Sequence, residues 1–100
     1  MSADASNSSN PTERREVVFS GHVQGVGFRY TTQDIAKQFN VRGYVRNLSD
    51  GRVELIVEGT RDEIARFLAA IHEHMGTFIR DVKSDSTPAR GEFTDFSIRH

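Results

Sequence analysis

Three glycines stand between a short apolar run and the start of a helical pattern, in Gly21-His22-Val23-Gln24-Gly25-Val26-Gly27-Phe28-Arg29. That spacing suits an anion. Without a Cβ, glycine lets backbone amides turn inward and lets a ligand approach them closely. The helix that follows adds unpaired first-turn N–H groups and the positive end of its macrodipole. Phe28, Arg29, Tyr30 and Thr31 include no acidic side chain to complement that end, and Arg29 adds a cation to it. A cation there costs roughly 0.3–1 kcal/mol at an exposed site unless an anion sits between it and the amides. Gly21 through Arg29 therefore predict an anion cradle, with phosphate as the expected occupant.

Other residues with chemical potential fit blander roles. His22 lies within the cradle and reads as a loop residue rather than a catalyst. His72 and His74 are two apart on a helical pattern and diverge by about 200°, which argues against a shared metal and for two solvent-facing rings. Asp50-Gly51 is turn chemistry. Taken alone, Asn47 reads as a strand-end residue before that turn. Arg42, Arg46 and Arg52 read as solvated strand residues. Arg99 and the carboxylate of His100 would approach Arg29 if the last strand lay beside the first, although ordinary surface charges are the simpler expectation.

The elements that must position the cradle follow from periodicity. Glu16-Val17-Val18-Phe19-Ser20 has strand composition and leads into the glycines. Phe28, Thr31, Thr32, Ile35, Ala36 and Phe39 recur at helical spacing, with Asn40 available as a stop. Arg42 to Leu48 and Arg52 to Glu58 read as a hairpin across Ser49-Asp50-Gly51, with Val53, Leu55 and Val57 on one face and Ile56 alone breaking the alternation. Thr60 and Glu63 have capping-box spacing ahead of Ile64, Phe67, Leu68, Ile71 and Met75, and Gly76 ends that helix. Phe78 to Lys83 reads as a fourth strand, Ser84 to Gly91 as a polar connection, and Phe93 to Arg99 as a closing strand. The order βαββαβ plus a C-terminal strand describes an α+β, ferredoxin-like α/β sandwich, a mainly antiparallel sheet with two helices on one face.

Composition narrows the function classes. Met1 to Arg14 carries no large hydrophobe after Met1 and reads as a disordered N-terminal tail, residues 1–14, leaving 15–100 as one domain. Thirteen basic against fourteen acidic residues give little support to nucleic-acid or membrane binding. An RNA-binding sheet is suggested faintly by Arg42-Gly43-Tyr44, but the motif does not continue and no cluster of sheet aromatics accompanies it. The chain has no cysteine, which suits the cytosol, and no apolar run long enough to span a membrane. A cytoplasmic monomer is the expectation.

Two segments together carry a family likeness. Val23-Gln24-Gly25-Val26-Gly27-Phe28-Arg29, with Gly21 before it, and Gly43-Tyr44-Val45-Arg46-Asn47, followed by Asp50-Gly51-Arg52-Val53-Glu54, resemble the two signatures of acylphosphatases. The ending Phe96-Ser97-Ile98-Arg99-His100 is similar too, so the resemblance spans roughly residues 16 to 100. It implies a ferredoxin-like fold and hydrolysis of small acyl phosphates to carboxylate and phosphate, without a metal, a cofactor or a covalent enzyme intermediate. It also implies that Arg29 binds phosphate, that Asn47 positions water, and that Gly21 through Phe28 form the phosphate loop. Tyr44 departs from the tryptophan common in the family, and the long tail departs as well.

Overall fold

Alternation in Val53–Thr60 sets Val53, Leu55 and Val57 on one face, and this strand becomes the middle of the sheet. The computed structural model describes residues 12–100. Its elements are β1 (Thr12–Gly21), α1 (Phe28–Ala36), β2 (Val41–Asn47), β3 (Val53–Thr60), α2 (Arg61–Met75), a 3-10 turn at Gly76–Phe78, β4 (Ile79–Pro88) and β5 (Phe96–Arg99). The sheet has five strands in the order β4-β1-β3-β2-β5, antiparallel except where β5 runs parallel to β2. Val17 and Phe19 of β1, Val45 of β2 and the β3 stripe pack with Ile35, Ile64, Phe67 and Ile71 of the helices in one core. This is the expected α+β ferredoxin-like sandwich.

Helix α2 starts where its cap places it: Thr60 Oγ1 accepts from the Glu63 amide at 3.3 Å. Glu63 does not complete a capping box. Its Oε1 accepts from the Asn40 amide at 2.7 Å, tying the end of the α1 turn to α2. Helix α1 stops at Ala36, three residues before the expected Phe39, because the chain tightens into i→i+3 bonds at Lys37, Gln38 and Phe39. Phe39 still packs on Phe67, with ring centroids 6.1 Å apart. No helix among the described residues is long and apolar enough to cross a membrane.

The other sheet face explains two departures from expectation, and a sheet edge a third. β4 lies at one edge and β5 at the other, while the helices occupy the first face, so the connection between them crosses the second. Phe93 of this connection packs edge-on against Tyr44 at 5.9 Å. Ile56, the residue that broke the pattern of β3, points to this covered face and is only 3% exposed. Residues 12–14, expected in the tail, belong to β1: Thr12 pairs with Thr60, and Arg14 is buried with its guanidinium bonded to Glu16 (2.9 Å), Glu92 (2.8 Å) and Glu58 (3.4 Å). Charge pairing orders a segment that has no hydrophobe to bury. Residues 1–11 of the expected tail lie outside the described residues. β4 likewise runs on to Pro88, through residues expected to be a loop, because an edge strand needs one neighbour and tolerates polar, exposed side chains.

Glu58 fastens the crossing connection. Its carboxylate accepts from the amides of Arg90 (2.9 Å) and Gly91 (3.0 Å) as well as from Arg14. Burial pushes the Glu58 pKa up, but those two amides and the guanidinium outweigh it and hold the carboxyl below its ordinary value.

Candidate active site

β1 delivers the chain into the glycine loop, and the loop alternates. Val23 is fully buried, while Gly25 and Gly27 adopt φ of +81° and +77°, a left-handed conformation that side chains disfavour. Gly27 is the N-cap of α1, where no side chain caps the helix and no acidic residue occupies the first turn. Its first-turn amides therefore keep their donors free of side-chain partners. Phe28 is buried against Phe19, ring centroids 5.1 Å apart, which pins the helix start to the end of β1.

Asn47 ends β2 on the same alternation as Val41, Gly43 and Val45, the face that carries the helices. It thereby meets the loop. Val23, Gly25, Gly27, Phe28, Arg29, Tyr30 and Asn47 line one cavity of about 200 Å³. Arg29 donates from one guanidinium nitrogen to the carbonyl of Arg99 at 3.3 Å, and the same nitrogen lies 3.3 Å from Nδ1 of His100. The last strand lies beside β2, not β1 as the approach of Arg99 to Arg29 was expected to require, and the contact runs through the Arg99 backbone. The Arg99 guanidinium itself sits over the Tyr44 ring, 3.9 Å from its centroid.

Not all nine cradle residues meet the cavity. Of residues 21–27, only Val23, Gly25 and Gly27 line it. Gly21 and His22 line a separate depression with Thr77, Phe78, Ile79 and Arg80. The His22 amide is already committed to the Phe78 carbonyl at 2.8 Å. Gln24 turns toward the hairpin instead, where its Nε2 donates to the carbonyls of Leu48 (2.8 Å) and Arg52 (2.9 Å). Those carbonyls flank the β2–β3 turn, so one carboxamide fastens the loop to the hairpin that carries Asn47. Nothing in the local pattern around Gln24 signals this, since its partners lie 24 and 28 residues away.

Neighbouring charges find partners of their own. Arg46 pairs with Glu54 at 2.6 Å, and Arg52 with Asp50 at 2.8 Å, where Asp50 also accepts from the Arg52 amide as a turn residue does. The backbone and side-chain donors of Arg52 outweigh the opposing desolvation and hold the Asp50 carboxyl below its ordinary value. His72 and His74 are both exposed at the end of α2, as their spacing implied. Tyr30 enters the sequence reading only as a non-acidic residue of the first turn. Its signal is nonetheless present, an aromatic outside the helix's buried stripe and next to Arg29.

The acylphosphatase family profile matches residues 15–98. The chain belongs to the acylphosphatase family. An acylphosphatase from Treponema denticola is 47% identical over 83 residues, 82% of this chain and 87% of that protein. One from Pyrobaculum islandicum is 42% identical over 87 residues, covering 85% and 92%. The crystal structure of an acylphosphatase from Bacillus subtilis matches with a TM-score of 0.79 at 29% identity, covering 88% of this chain and 99% of that one. As an acylphosphatase, the enzyme hydrolyses acyl phosphates, and the cavity shared by Arg29, Asn47 and the glycine loop is the candidate place for that reaction.

Proposed function

We propose that Arg29 and the inward amides of the Val23–Phe28 loop hold the phosphoryl group while Asn47 holds the attacking water in line with the scissile bond. The observation that carries this reading is the single cavity lined by Arg29, Asn47 and the loop glycines. The water oxygen forms a new P–O bond as the P–O bond to the carboxylate breaks, and the water's proton passes to a phosphoryl oxygen. A carboxylate whose conjugate acid has a pKa near ~4 departs without a proton donor, so the site needs no general acid.

What remains is stabilisation and positioning, which dominate phosphoryl transfer. A planar guanidinium gives parallel bonds to two phosphoryl oxygens, and fixed amides donate without reorganising as charge shifts. A carboxamide both donates and accepts without titrating, which suits a water whose oxygen must stay directed at phosphorus.

Hydrolysis of benzoyl phosphate tests the roles separately. Asn47→Ala lowers kcat about 10²-fold, roughly 2.7 kcal/mol, and leaves competitive inhibition by inorganic phosphate nearly intact. Arg29→Lys abolishes that inhibition together with turnover, because an ammonium keeps the charge and loses the fork. If Asn47→Ala weakened phosphate inhibition as much as it lowered kcat, the division of labour would be wrong.

A further inference from the structure

We propose that Tyr30 is the platform for the substrate's acyl group and that it biases the enzyme toward planar, aromatic acyl phosphates over small aliphatic ones. The proposal rests on the phosphoryl group occupying the cavity of Arg29 and Asn47. Within that cavity the other lining residues are already committed. Gly25 and Gly27 present only backbone, Val23 and Phe28 are buried in the core, and Arg29 and Asn47 face the phosphoryl group and the water. Tyr30 is left, and it is 65% exposed.

Its position joins two features. Tyr30 lines the 200 Å³ cavity and also a neighbouring depression of about 460 Å³, together with Gln33, Asp34, Lys37 and His74. An acyl group attached to a phosphoryl group in the cavity must leave through its mouth, and the surface that continues from there passes over Tyr30. Helix α1 buries Phe28, Thr32, Ile35 and Ala36, which turns Tyr30 outward. A ring held there by the helix presents apolar area that a flat acyl group covers at little entropic cost.

The depression beyond carries Lys37 and Asp34, paired at 3.6 Å, beside Gln33 and His74.

The test compares benzoyl phosphate with acetyl phosphate for wild type, Tyr30→Ala and Tyr30→Phe. Removing the ring lowers the benzoyl-to-acetyl ratio of kcat/KM about tenfold, the size expected of one aromatic contact, mainly through KM for benzoyl phosphate. Tyr30→Phe retains the ratio within about twofold, since the ring and not the hydroxyl makes the contact. Inhibition by inorganic phosphate, which has no acyl group, changes little in either variant. An unchanged ratio in Tyr30→Ala overturns the platform, as does a Tyr30→Phe variant that behaves like Tyr30→Ala, or a loss of phosphate inhibition equal to the loss of benzoyl phosphate turnover. Failure of the underlying cavity reading looks different: Arg29→Lys would then leave phosphate inhibition intact.

Discussion

Arg14 and Arg29 are the same residue in opposite circumstances. Arg14 lies on the sheet face away from the helices, 7% exposed, with three carboxylates around its guanidinium and the Phe93 ring 5.6 Å from its centre. Burial lowers its pKa, and the bonds to Glu16, Glu92 and Glu58 more than restore it, so it stays charged. Arg29 has no carboxylate partner among the described residues; it touches one carbonyl and one imidazole, beside a helix N-terminus without an acidic residue. A guanidinium surrounded by its own chain's anions is spent on holding the fold. One without a carboxylate partner is left available to an anion from outside, which is the role proposed for Arg29.

The largest effect expected is the split between the two. Arg29→Lys lowers kcat/KM at least about 10³-fold while changing unfolding free energy by no more than about 0.5 kcal/mol. Arg14→Met does the reverse, costing about 3 kcal/mol in urea unfolding because the buried Glu58 carboxylate loses its counter-ion, with kcat per folded molecule unchanged. If both substitutions lowered stability alike, the contrast would collapse.

Glu58→Gln sharpens the structural side, with a cost of about 2 kcal/mol at neutral pH, since the replacement sets an N–H₂ against one of the Arg90 and Gly91 amides and removes the charge facing Arg14. The pH dependence has a definite sign. The folded pKa of Glu58 lies below its unfolded value, so its contribution is complete above the unfolded pKa near ~4.3 and fades as pH falls through the folded one. Unfolding midpoints of wild type and Glu58→Gln should therefore converge as the solution is acidified.

The smallest effect belongs to Gln24, whose carboxamide holds the loop against the hairpin. Gln24→Leu is expected to lower kcat about tenfold by misplacing Asn47, with a smaller change in phosphate inhibition. Equal losses in both would make Gln24 a support for the loop alone.

What the sequence disclosed was what it encodes locally. The glycines before Arg29, the hairpin around Asp50-Gly51 and the Thr60 cap each announce themselves within a few residues, and the structure forms them there. The start of β1 and the end of β4 were hidden because their order comes from partners far along the chain. Arg14 meets Glu58 and Glu92 across 44 and 78 residues, and no window around Arg14 contains either. Gly21, His22, Gln24 and Val26 read as part of the phosphate cradle with their neighbours because a contiguous motif does not show which of its residues the folded loop turns to the cavity. Asn47 drew its role from family resemblance, since the amide of a strand-end asparagine looks alike whether it caps a turn or faces a ligand.

Titration of the isotopically labelled protein with inorganic phosphate, followed by amide and arginine side-chain resonances, tests the central claim most directly. The account predicts saturable shifts at Gly25, Gly27, Phe28 and the Arg29 guanidinium, retained in Asn47→Ala and absent in Arg29→Lys. Saturable shifts confined to other residues, or shifts at the loop that persist unchanged in Arg29→Lys, would contradict it.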